Sequence, residues 1–169
     1  MSRIRKRRSM SKFSNSSSEY QRKLEDKLFM ETQRSLGVEL ESNPNLLVQS
    51  DPTVSIVPDF YSKEHCIIGE IHAHAGKLKG GQPDKIASDI LKMLLHDKIM
   101  GCTFQKYIVV CSKEEYQQLT GTSALAEAIR QFDIRVLLIP LEEKEYEELQ
   151  AVMKKQDFLQ RTEEDYAKR

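Results

Sequence analysis

The chain has 169 residues, 39% of them hydrophobic and 31% charged, with 26 basic and 26 acidic side chains. That length allows one domain with a sizeable core and hardly two, and no stretch approaches the roughly 18 uncharged apolar residues that a membrane span needs. Three cysteines (Cys66, Cys102, Cys111) without paired spacing fit buried thiols in a reducing cytoplasm better than a disulfide framework or zinc knuckle.

The balanced charge hides an asymmetry. Arg3, Arg5, Lys6, Arg7, Arg8 and Lys12 crowd the first twelve residues with no acid, so the rest holds 20 basic against 26 acidic side chains. A basic arm on a mildly acidic body can touch phosphate, or can merely solubilise the chain. No apolar run follows it, so it does not read as a secretory signal. Residues 1–18 end in Ser14-Asn15-Ser16-Ser17-Ser18, can build no core, and are expected to be a disordered tail. The structured domain is expected over residues 19–161, with a polar tail at 162–169.

The first expected helix runs from Glu19 to Leu36, with Tyr20, Leu24, Leu28, Phe29 and Leu36 near one stripe, Ser18 as its cap and Gly37 as its stop. Leu46-Leu47-Val48 opens an antiparallel meander, continued by strands over Val54 to Tyr61 and Cys66 to Ala75. The short polar Ser62-Lys63-Glu64-His65 forms the hairpin loop between the last two. A flexible connector, residues 76–81, leads to a helix beginning near Pro83 and carrying Ile86, Ile90, Leu91, Met93, Leu94 and Leu95. Tyr107 to Cys111 and Ile134 to Leu141 read as strands buried on both faces. Between them Lys113 to Phe132 is helical, with a break at Thr120-Gly121-Thr122. A charged amphipathic helix closes the domain from Glu142 to about Arg161; its stripe of Leu149, Val152, Met153 and Leu159 belongs to the core and leaves room for a homodimer contact. The order αβββαβαβα describes an α/β domain, a mixed sheet with an antiparallel meander flanked by helices.

The chemistry concentrates in the meander. Glu70 sits inside an apolar strand, where a carboxylate needs a partner or a task. Side chains alternate across a strand, so Glu70, His72 and His74 share one face and can converge with Asp59 from the neighbouring strand. Carboxylates held close together repel unless a cation lies between them, so the pattern points to a metal site. A zinc site from Glu70, His72 and His74 is the competing ligand set. His65 and His96 are expected on the surface.

Pro58-Asp59, Glu70 and the helix–three strands–helix–strand order resemble the restriction-endonuclease-like, or PD-(D/E)xK, nuclease superfamily, over roughly residues 19–140. The resemblance implies a metal-dependent nuclease that hydrolyses phosphodiester bonds in DNA, with Asp59 and Glu70 holding Mg²⁺ or Mn²⁺. It also implies an accessory ligand from the first helix, for which Glu25 is the best match and Glu31 its rival. His72 stands where the superfamily carries a lysine. Histidine can polarise water near neutral pH, and Gln82 and Lys85 at the start of the following helix are candidates for a migrated basic group. His74, Lys77 and Lys79 are then expected to grip the nucleic-acid backbone. Hard oxygen ligands favour Mg²⁺ or Mn²⁺, and an imidazole shifts the preference towards Mn²⁺. The missing lysine leaves a second reading open, a decayed nuclease fold that binds nucleic acid or a protein partner.

Overall fold

A computed structural model describes the backbone of residues 3–167 and the side chains of residues 19–156 and of Phe158. Helix α1 spans Arg3–Leu36, so Glu19 is not an element boundary; the stretch expected as a disordered tail is helical from residue 3 onwards. Neither Gly nor Pro occurs between Arg3 and Leu36, and Arg, Lys, Met and Gln favour helix enough to carry it through the serines. The basic side chains of the arm lie outside the described residues.

A two-residue strand β1 (Glu41–Ser42) follows, then β2 (Leu46–Ser50) and β3 (Thr53–Ile56), which pair only with each other. The strand expected over Val54 to Tyr61 is therefore divided. Pro58 has no N–H to give a ladder, and the chain bends at Val57-Pro58-Asp59 before β4 (Phe60–Ser62). Strands β4 and β5 (Ile67–His72) form the expected antiparallel hairpin, with Phe60 opposite Gly69 and Tyr61 opposite Ile68.

From there the chain alternates: α2 (Gln82–Met100), β6 (Gln105–Val110), α3 (Lys113–Leu119), α4 (Ala124–Gln131), β7 (Ile134–Leu138) and α5 (Glu143–Ala167). Pro83 lies in the first turn of α2, and Gly101 closes it in the left-handed conformation at φ 65°. Ser112 and Ser123 cap α3 and α4 by accepting the Glu115 and Ala126 N–H groups. The main sheet has the order β1-β4-β5-β6-β7, antiparallel as far as β5 and parallel from β5 to β7. This is a mixed α/β sheet flanked by helices.

Both faces are covered. Leu24, Leu28 and Leu149 from α1 and α5 pack on Phe60, Ile67, Ile71, Tyr107, Val109 and Cys111. On the opposite face Ile86, Ile90 and Met93 of α2, with Leu119 and Ile129 of α3 and α4, cover Tyr61, Ile68, Ile108 and Val110; Val48 and Ile56 of the hairpin join them. Two apolar faces explain why β6 shows no alternation in its sequence. Strand β7 is expected to be equally buried, but it forms the sheet edge, with Arg135 exposed and Val136 to Leu138 half-buried. Cys66 and Cys102 are exposed and only Cys111 is buried, against the expectation of three buried thiols; all three are free. His96 is not on the surface. It faces inward from α2, edge-on to Phe104 at 4.6 Å and to Tyr61 at 5.6 Å.

Candidate functional site

Asp59 lies in the bend ahead of β4 and is pinned twice. Its carbonyl accepts the Asn43 N–H at 3.0 Å, and its carboxylate Oδ2 accepts the Ile71 N–H at 2.7 Å, replacing the ladder partner that the Pro58 bend removes. Asp59 thus stands one residue ahead of the Phe60–Gly69 pair and is bonded to the residue after Glu70, whose own side chain lies on the face that α2 covers. Glu70 is 4% exposed. Burial pushes its carboxyl up to about 8 against the pull of Lys92, and the charges of Asp59 and Asp89 push it the same way.

Lys92 is one of two residues of the cluster that sequence reasoning did not single out. Its Nζ lies 2.8 Å from Glu70 Oε1 and 2.8 Å from Asp89 Oδ1. Asp89 is the other, buried on α2 one turn before Lys92, and its Oδ2 lies 3.2 Å from His72 Nε2. Burial favours the neutral form of Asp89, but the contacts with His72 and Lys92 outweigh it and hold the carboxyl below its ordinary value. Lys92 is held above its ordinary value by the same two carboxylates, against its own desolvation. The two acids that share the ammonium are thus pushed in opposite directions, Glu70 up and Asp89 down.

The remaining candidates are distributed unevenly. Glu25 on α1 is exposed, and its carboxyl is raised first by desolvation and then by Asp59, while Lys85 opposes both. Glu31 is engaged with Arg34 at 2.6 Å, which leaves Glu25 as the acid of α1 that the electrostatics of Asp59 reach. Gln82 is tied into the loop, its side-chain oxygen accepting the Lys79 N–H at 2.7 Å, so its position is that of a loop clasp. Lys77, Lys79 and Lys85 are exposed around that loop, and His74 is half-buried beyond the end of β5. His72 is 7% exposed and turned to Asp89, so it braces α2 against β5 in place of opening onto solvent.

Among the described residues, no three His, Cys, Asp or Glu side chains form a ready ligand cluster, and the set Glu70, His72 and His74 does not assemble as one. Mg²⁺ asks for less. It keeps several waters and is commonly held by one or two carboxylates together with substrate phosphates, fewer protein ligands than a three-residue cluster. Among the described residues no helix is long and apolar enough to cross a membrane. Comparison with protein-family models, curated proteins and solved structures finds no match to this chain.

The thiols behave differently from one another in this framework. Burial pushes Cys111 up to about 12, with the charge of Glu115 adding to it, so its reactive thiolate is scarce. Iodoacetamide at neutral pH should therefore modify Cys66 and Cys102 in the native protein and reach Cys111 only after unfolding. An intact-mass time course checks this; three thiols reacting at one rate would contradict the placement of Cys111.

Proposed function

We propose that this chain is a metal-dependent nuclease of the restriction-endonuclease-like, PD-(D/E)xK kind, hydrolysing phosphodiester bonds in DNA. The observation that carries the reading is the Lys92 ammonium 2.8 Å from Glu70, a carboxyl that also feels the charge of Asp59. It supplies, from the following helix, the cation that the strand lacks at His72. The order α1, β1, β4, β5, α2, β6 is compatible with that fold family when the β2–β3 hairpin is taken as an addition between strands.

In this reading Asp59 and Glu70 hold Mg²⁺ or Mn²⁺, and Glu25 of α1, whose carboxyl feels the charge of Asp59, is the proposed accessory acid. The bound ion supplies Lewis-acid activation of water and neutralises charge on the phosphate. Lys92 positions water and the scissile phosphate by its charge, as a point cation with three donors. Asp89 and His72 fix Lys92 and the approach of α2 to β5, which makes them positioning residues. Lys77, Lys79, Lys85 and His74 surround the adjoining loop, where they can meet backbone phosphates.

A second reading rests on the same contacts. Lys92 lies between Glu70 and Asp89, and His72 lies against Asp89, so the polar cluster finds its partners within the chain, as a non-catalytic binding module would need. Labelled single- and double-stranded DNA, incubated with Mg²⁺ or Mn²⁺, separates the two. The nuclease reading expects metal-dependent cutting that falls about a thousandfold or more, an effect of several kcal/mol, in Asp59→Ala, Glu70→Ala and Lys92→Ala. Cutting that survives in both carboxylate variants would refute it. An uncut substrate, together with no calorimetric Mn²⁺ binding at millimolar ion, selects the binding module.

A further inference from the structure

We infer that the outward face of α2 is a self-association surface that takes a second copy of this chain, the two helices running antiparallel. The helix is apolar on two sides. Ile86, Ile90 and Met93 fill the core, yet Leu91 is 66% exposed, and Leu95 and Ile99 are each 40% exposed one and two turns further along. A helix that lies on a sheet and meets water shows polar residues on its outer side; an apolar second stripe marks a covered one.

The pattern of the stripe identifies its occupant. A twofold axis beside Leu91 sets the Leu91 side chains of the two copies against each other. The same operation brings Leu95 of each helix over Ala87 and Ser88 of the other, so a large side chain meets small ones, as interdigitated helices require. It also places Lys98, in the last turn of one helix, opposite Asp84, in the first turn of the other. Both residues are exposed, each lies seven positions from Leu91, and the pairing occurs twice by symmetry. Antiparallel helices further set the positive end of each dipole beside the negative end of the other. Self-complementary shape and charge along a single helix favour a copy of that helix over an unrelated partner.

The stripe is about 12 Å long, at roughly 1.5 Å per residue, and smaller than the interfaces of permanent dimers, so association is weak and concentration-dependent. The inference does not depend on the nuclease reading, although the opposite side of α2 carries Asp89.

Sedimentation velocity on the full chain, from about 1 µM to about 1 mM, tests it. The weight-average mass should climb from 19.6 kDa towards twice that value. Leu91→Glu and Leu95→Glu sit at exposed positions, should retain native circular dichroism, and should hold the mass at that of the monomer throughout. Lys98→Glu should weaken association at least tenfold, and the double variant Asp84→Lys with Lys98→Glu should restore it. A wild-type chain that stays monomeric at the highest concentration overturns the inference. So does a dimer indifferent to Leu91→Glu, or a charge exchange that fails to restore association.

Discussion

Gly69→Ala is expected to destabilise the fold severely, although it adds one methyl group. A Cβ on Gly69 would lie 2.1 Å from Phe60 Cζ and 2.6–2.7 Å from both neighbouring ring carbons. Phe60 stands directly opposite Gly69 in the hairpin, fully buried under α1, with its ring laid across the glycine backbone. A ring wedged under Leu24 and Leu28 cannot swing aside as an exposed side chain could. Overpacking of a tight core costs about 1–3 kcal/mol and occasionally more, and contact this close belongs at the upper end. For a chain of this size that lowers the melting temperature by roughly 10 °C. Phe60→Leu relieves the clash at the expense of its own packing, so Phe60→Leu with Gly69→Ala should lose less than the sum of the single variants. Thermal and denaturant melts of the three proteins check this, and a Gly69→Ala variant within about 0.5 kcal/mol of wild type would show the ring to be mobile. The consequence reaches the site, because Asp59 and Glu70 flank this pair and their separation follows the β4–β5 spacing.

The legible part of the molecule was the part governed by local pattern. Glu70 announces itself as a charge inside an apolar strand, and the buried β6 as an apolar run of strand length. Gly101 and Pro83 bracket α2 by conformational requirements that few other residues meet. What escaped depends on how elements face each other. Asp89 falls on the inward stripe of α2 with Ile86, Ile90 and Met93, so its burial was implicit in helical periodicity, but its partners His72 and Lys92 come from a packing geometry that spacing cannot give. Lys92 resembles any helical lysine until Glu70 is found beside it. His96 belongs to the same inward stripe, and its burial against Phe104 and Tyr61 follows from that phase. The bend at Pro58 was also readable, since a proline between strand residues argues for a break, yet the β-branched residues before it suggested one continuous strand. Beyond the β4–β5 hairpin the sheet order could not be read, because no local signal sets which edge β7 occupies.

Glu115 carries the second large effect, on the pH dependence of stability. It occupies the third position of α3, where its N–H is taken by the cap Ser112, but its side chain is fully buried and neither carboxylate oxygen has a hydrogen-bond partner among the described residues. Burial pushes this carboxyl up to about 8, and the charge of Lys85 recovers only part of the shift. The ordinary value of 4.5 holds in the unfolded chain, so the folded state binds the proton more tightly between these limits. The stability that this group contributes is complete below about pH 4.5, declines as pH rises, and is lost once the folded carboxyl has ionised near 8. Glu115→Gln keeps the shape and removes the titration. Its stability relative to wild type should therefore improve from pH 5 to pH 9 by an amount on the order of a few kcal/mol, whatever fixed cost the amide carries. Glu70 titrates over the same window in both proteins, so its contribution cancels in the difference. Urea unfolding of the pair at pH 5, 7 and 9 measures this directly. A difference that stays constant across the three would mean that Glu115 has found a partner or water in solution, and α3 would then have to sit less tightly on the sheet than its buried cap implies.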